Sequence, residues 1–506
     1  MRLNIKKRYF EYAGIFLVSI FSGFLISFYN LSVLFIIASI LFIAVSFKYF
    51  NQVLCLLIFY IPFQVALNIT SGIDLASGRV LILYLFAVWI IKSLAEKRFV
   101  IRLNLQTLLI LLFLSIACFS MLEAWDAERA FRKILVFLSV FPLYFIITSI
   151  NKEGEQAFVR LHGLTVINKN NYIGKILNVL LISGFILSLI GIIQFALQFI
   201  IGINPIIDFW SKIIAPIFYG NTFGAEVVSN PSWLVNIGGA AVLRAISLFP
   251  DPHMFSFYLG LLIPIVLAKV SFPPDKGGWG VKNIIQDNKI LCFILAAMLL
   301  AELLTFSRGG YLGLIAGIGA VIVLSWRYIS FNKKIILGFF SGIFVLFMIF
   351  GNQSIVNRFL SSFNPSEGSN AERIKNWSQG REVFSDNILT GVGIGNYSIY
   401  LYPTADYRAP IYAHNLYLDI GAEMGIFTLI AWLALIFITI YQLFKLSRNA
   451  GDNFTRSISL GLIGSLVWFS VHSFFDTPIY SPTILTVFII ILSLSVMVLK
   501  PNRKLR

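Results

Sequence analysis

The chain has 506 residues, of which 58% are hydrophobic and 15% aromatic but only 12% charged, where soluble domains carry about 25% charged residues. That balance excludes a cytosolic enzyme, a disordered protein and a secreted disulfide scaffold; apolar runs from end to end mark an integral membrane protein with many spans. The net charge of +16 would point to nucleic acid in a soluble protein, but here the placement of the basic residues matters more than their sum, and no nucleic-acid partner is expected.

The N-terminus is basic through Arg8 and then apolar. It resembles the start of a signal peptide, but no small-residue cleavage site follows, so a retained first span is expected. A helix needs roughly 20 apolar residues to cross about 30 Å of hydrocarbon. The candidate spans are 13–29, 31–47, 53–67, 80–95, 105–122, 130–149, 175–203, 254–270, 289–306, 309–326, 333–351, 417–446, 456–472 and 481–499. The expected fold is all-α, a polytopic transmembrane helical bundle of 12–14 spans with a long outer-face loop containing short helices.

If the N-terminus is cytoplasmic, most Lys and Arg fall inside, including Arg327, Lys333 and Lys334, Lys445 and Arg448, and the tail from Lys500 to Arg506. The positive-inside rule then puts both termini in the cytoplasm. The organisation that results is 1–203 N-terminal transmembrane helices, 204–253 outer loop, 254–351 transmembrane helices, 352–413 large outer loop and 414–506 C-terminal transmembrane helices. The two outer segments are far longer than a connection needs, and long loops are usually functional or disordered. The second holds Trp377 and five tyrosines with balanced charges, a composition suited to an ordered lid.

Cys55, Cys118 and Cys292 each stand alone in an apolar run and form no CxxC pair, so they read as packing residues. No HExxH or acidic metal cluster and no GxxxxGK[ST] occurs, so neither a metal, another cofactor nor ATP-driven pumping is indicated.

The chemistry-bearing residues gather at the outer boundary. Arg244 lies in Val-Leu-Arg-Ala-Ile-Ser-Leu248-Phe-Pro-Asp251-Pro-His253, and Arg308 lies in Ser307-Arg308-Gly309-Gly310 between two spans. An arginine at that depth is either an interfacial anchor or functional; its planar fork suits phosphate. His414 ends the long loop, and histidine titrates near neutral pH. Its plainer reading is a helix-start residue beside Asn415 as cap. Asp419 and Glu423 follow four apart, as a polar stripe or as working carboxylates. Gly421 and Gly425 suit close helix contact. His472 and Asp476, also four apart, could share a proton, a structural hydrogen bond being the simpler account. The run from Gly391 to Gly395 reads as a turn that lets backbone approach a ligand or helix.

These motifs resemble the O-antigen ligase family, membrane glycosyltransferases that include related polysaccharide polymerases. The family pattern His-[Asn/Ser/Gln]-x9-Gly-x-x-[Gly/Thr/Tyr] reads here as His414-Asn415, nine residues, Gly425, two residues and Thr428. Arg-x3-Leu is Arg244 to Leu248; Ser307-Arg308-Gly309 and Arg373-x3-Trp377 before the glycine run are also similar. The resemblance implies a donor glycan on undecaprenyl diphosphate outside the cytoplasmic membrane. It implies a lipid A–core acceptor for a ligase, or a second lipid-linked repeat for a polymerase. Arg244, Arg308 and Arg373 would bind the diphosphate, and His414 would take the proton of the attacking hydroxyl. The transfer would invert the anomeric carbon without a metal. A transporter of lipid-linked sugars is the alternative from another class, though no internal repeat supports it.

Overall fold

The computed structural model describes residues 41–70, 73–97, 101, 103–149, 169–229, 231–272, 287–328, 368–406 and 411–499. The expected spans 13–29 and 333–351 and most of 31–47 lie outside these residues, as do 150–168 and 352–367. Among the described residues nine helices are long and apolar enough to cross a membrane: Ser77–Ala95, Leu105–Glu123, Ala127–Ser149, Tyr172–Ile201, Pro252–Ser271, Arg308–Ser325, Leu416–Asn449, Asn453–His472 and Pro482–Leu499. The protein is a polytopic helical bundle that passes the membrane many times. Asn288–Leu304 is a further apolar helix of 17 residues.

The expected span 53–67 is shorter in fact. Its helix runs Phe50–Tyr60 and ends in a 3-10 turn at Ile61–Phe63, because Pro62 cannot continue the hydrogen-bond ladder. The chain then turns into a small hairpin, Ala66–Thr70 with Ile73–Ala76.

The described residues fall into two compact units. In the smaller, drawn from 1–56 and 87–99, the Lys92 ammonium lies 5.7 Å from the Phe50 ring. The larger, 57–86 and 100–506, contains everything below. Its helices start where the sequence offers a short polar side chain to the free N–H groups of the first turn. Asn104, Asp126, Asp251, Asp287, Ser307, Asn415 and Asp452 all cap in this way. The Pro252–Ser271 helix is buried along nearly its whole length and packs against Asn453–His472, Asn288–Leu304 and Arg308–Ser325. A helix apolar all round belongs in such a central position.

The segment 204–253 is not an open loop. It folds as short helices Ile203–Phe209, Ala215–Tyr219 and Asn221–Ser229, then a hairpin of Leu234–Ile237 and Ala240–Leu243. Trp210, Tyr219, Trp233, Leu243 and Ile246 form its core. The Asp74 carboxylate accepts the backbone N–H groups of Thr222 and Phe223 at 2.9 Å and so caps the Asn221–Ser229 helix from the first hairpin. In the segment 352–413, Gly368–Asp386 is a helix packed on Leu416–Asn449.

Candidate active site

The Leu416–Asn449 helix has 34 residues, about 50 Å at the α-helical rise and longer than a bilayer crossing needs. It is broken at Gly425, whose φ of 77° and ψ of 176° are non-helical. A Cβ there would stand 2.2 Å from the Leu389 carbonyl oxygen, and the left-handed φ itself favours glycine. The gap is used: Ile426 N–H donates to Ile388 O at 2.8 Å and Val392 N–H to Ala422 O at 2.9 Å. A strap of chain thus crosses the break. It continues through Gly391, Gly393 and Gly395, all at positive φ, to Asn396, whose side chain bonds the backbone of Asp126. The glycine run therefore ties helix ends together.

His414 precedes this helix in the left-handed region, with φ 50°. Non-glycine residues held there cluster at functional sites. Two of the other three described cases, Ser247 and Phe306, stand beside the Arg244 arm and the Arg308 corner. Asn415 caps the helix by accepting from Tyr417 and Leu418 N–H. Leu416 N–H donates to Ser473 O at 2.9 Å, which docks His414 on the turn after the Asn453–His472 helix. On that turn Asp476 places Oδ1 3.6 Å from His414 Nδ1.

Asp419 holds the pair's two segments. One oxygen accepts Ala413 N–H at 2.9 Å and the other accepts the Thr477 hydroxyl. Asp419 is fully buried, so it acts through its neighbours and not on a ligand. The His414 side chain, by contrast, is 48% exposed, open to a substrate.

The Asp476 carboxylate raises the His414 pKa above its ordinary value, with burial opposing and Asp419 adding to the rise. Burial pushes Asp476 up, but the interaction with His414 prevails and holds its carboxyl well below the usual range. The result is a charge-supported imidazole, more basic than a free one.

Three arginines gather at the same end of the bundle. Arg373 and Trp377 lie one turn apart on Gly368–Asp386. The Trp377 indole N–H donates to His414 O at 3.5 Å. Arg373 is electrostatically coupled to Asp476, Arg308 and His414; burial depresses its pKa, Asp476 opposes and Arg308 adds to the depression. Arg308 is the first residue of Arg308–Ser325, which Ser307 caps through Gly310 N–H at 3.2 Å. Like-charged guanidinium groups held together point at an anionic ligand.

Residues 293–433 match the O-antigen ligase family model. This part of the chain is similar to the O-antigen ligase family. The teichuronic acid biosynthesis protein TuaE of Bacillus subtilis (strain 168) is 28% identical over 239 residues, 44% of this chain and 48% of that protein. The similar region thus spans about half the length of the curated relative. The O-antigen ligase segment carries Arg308, Arg373 and His414, whereas Arg244 and Asp476 come from outside it.

Arg244 reaches the O-antigen ligase segment through backbone. Its Nε donates to Thr305 O at 2.7 Å and its Nη1 to Ser232 O at 3.0 Å, and it is only 5% exposed. It therefore fastens the 234–243 hairpin to the Arg308 corner, a structural duty the sequence did not reveal. Gln198 pairs with both backbone groups of Leu243, and Gln194 accepts from Ile246 and Ser247 N–H. Two glutamines four apart in an apolar helix were the available signal for this docking. Asp251 accepts from His253 and Met254 N–H as a cap. Burial and then Asp476 push its carboxyl up to about 6, against those two N–H groups and Arg244.

The hydrogen bond expected between His472 and Asp476 is absent. His472 lies flat on Phe257, ring centroids 3.7 Å apart, with Nε2 3.4 Å from Ser307 Oγ; His253 Nδ1 stands 3.0 Å from the same hydroxyl. The Asn453–His472 helix ends before Asp476, so the chain turn, not a helical i,i+4 relation, sets where the carboxylate points. Among the described residues no three His, Cys, Asp or Glu side chains gather as a metal-ligand set.

Proposed function

We propose that this protein is a membrane glycosyltransferase that moves a glycan from undecaprenyl diphosphate to an acceptor hydroxyl on the outer face of the cytoplasmic membrane. The carrying observation is the exposed His414, paired with the largely buried Asp476, beside the coupled Arg308 and Arg373 guanidinium groups. His414 takes the acceptor O–H proton. The freed oxygen attacks the anomeric carbon, and the carbon–oxygen bond to the diphosphate breaks. The pair of bonding electrons leaves with undecaprenyl diphosphate, and the anomeric configuration inverts. In this reading Arg308 and Arg373, with Arg244, receive the departing charge, which preorganised donors stabilise best. Asp476 orients the imidazole and supports its charge, as a carboxylate does behind a general base.

The first reading of the acceptor is lipid A–core, making the protein an O-antigen ligase. A second reading, polymerisation of lipid-linked repeats, is favoured by the similarity to a protein of teichuronic acid biosynthesis. The envelope glycans of a deletion strain separate them. Loss of long chains from the acceptor while lipid-linked polymer accumulates means ligation; single repeats left behind mean polymerisation. An unchanged glycan profile contradicts both.

A further inference from the structure

Lys133 is a cation in an unusual place. It sits on the Ala127–Ser149 span, far in sequence from every residue of the site, and is only 8% exposed. A lysine near a helix end ordinarily snorkels its ammonium to water; this one points inward. Its Nζ donates to the Tyr412 hydroxyl and lies 3.7 Å from the centroid of the Tyr480 ring. The two rings stack on each other with centroids 5.7 Å apart. Phe137, one turn along the same span, also stacks on Tyr480, with centroids 6.0 Å apart. The Tyr480 hydroxyl donates to Glu423, which is 2% exposed, and Glu423 and Asp419 are the anions that Lys133 feels.

What these contacts join matters more than any one of them. Tyr412 is two residues before His414, and Tyr480 is four residues after Asp476. A buried ammonium needs compensating charge or it is expelled. The carboxylates and ring faces supply that compensation only while both tyrosines stay in place. We infer that Lys133 is a positioning residue for the His414–Asp476 pair, a clamp that reaches from the Ala127–Ser149 span and holds the two segments bearing that pair together. The inference rests on the base role given to His414. It adds that the working end of the site depends on a side chain outside the O-antigen ligase segment.

The test is made on the full chain in lipid nanodiscs, without substrate. Diethyl pyrocarbonate modifies the neutral imidazole, so the rate of His414 modification against pH, read by mass spectrometry, reports its titration midpoint. The groups facing His414 are Asp476, Asp419 and Arg373; both variants keep all three residues, and Tyr412→Phe also keeps the Lys133 charge that acts on Asp419, so it reads the clamp apart from that charge. Both variants are expected to move the midpoint down toward an ordinary histidine, Lys133→Met further. In the transfer assay Lys133→Met should lower kcat by about 10²-fold with KM for the donor kept, as for a base displaced by about 1 Å. If Lys133→Met does not accumulate, Tyr412→Phe decides alone. A midpoint equal to wild type in the variants overturns the inference. That outcome is independent of the glycosyltransfer reading, which fails only if His414 proves dispensable for transfer.

Discussion

The His414 imidazole faces the Asp476 carboxylate at 3.6 Å, each residue carried by a separate segment that Asp419 joins to the other. The carboxylate raises the pKa of His414, and a base works only when neutral, so the transfer rate should climb with pH through a midpoint above the ordinary value of about 6.5. Asp476→Asn should move this acidic limb downward and lower kcat. A pH–rate profile of wild type and variant checks it, and an unmoved limb contradicts the pairing. The same coupling has a stability sign. The raised His414 contributes stability below about pH 6.5 and loses it as pH rises through the folded midpoint; the depressed Asp476 contributes above its ordinary value and loses it in strong acid.

Arg244 and Arg373 should differ when each is changed to lysine. Arg244→Lys forfeits buried hydrogen bonds to the Thr305 and Ser232 carbonyls, at roughly 1–3 kcal/mol for each group left unsatisfied, and should lower thermal stability and membrane abundance. Arg373→Lys keeps the fold and should raise KM for the lipid diphosphate donor, since a point charge lacks the bidentate fork. Melting curves beside donor-dependence kinetics separate the two outcomes.

Gly425→Ala should destabilise by about 1–3 kcal/mol from its left-handed backbone alone. The cost should be greater because the added carbon meets the Leu389 carbonyl. Thermal unfolding in detergent measures it, and a melting temperature equal to wild type would contradict the role given to the helix break.

The proposed sidedness rests on the distribution of basic residues. A reporter fused after Lys445 should read cytoplasmic and one at Asn370 external. The reverse pattern would contradict the proposed outer-face site.

The legible part of this protein was what neighbouring residues encode. Apolar runs marked the spans. The family pattern picks out His414, Asn415, Gly425 and Thr428 together, and the cap at Asn415 is local. The left-handed entry at His414 depends on the docking at Ser473, and the helix break at Gly425, which the sequence presents only as a close-contact glycine, depends on the strap from Leu389 to Val392. Residues whose roles depend on distant chain were not legible. Asp476 looked like a partner of His472 because four residues separate them, yet the helix between them ends first. Nothing near Arg244 in the sequence announces its bond to the Thr305 carbonyl, which adds a docking role to the expected ligand role. Lys133 lay in an apolar span with no local partner. The hairpin at 66–76 is too short to leave a clear alternation.

His414 as the general base is most directly tested by His414→Ala reconstituted in proteoliposomes with a lipid-linked glycan donor and an acceptor. The variant should reach wild-type levels in the membrane and still bind donor, with transfer lowered by about 10²–10⁴-fold. Transfer at the wild-type rate would contradict the account.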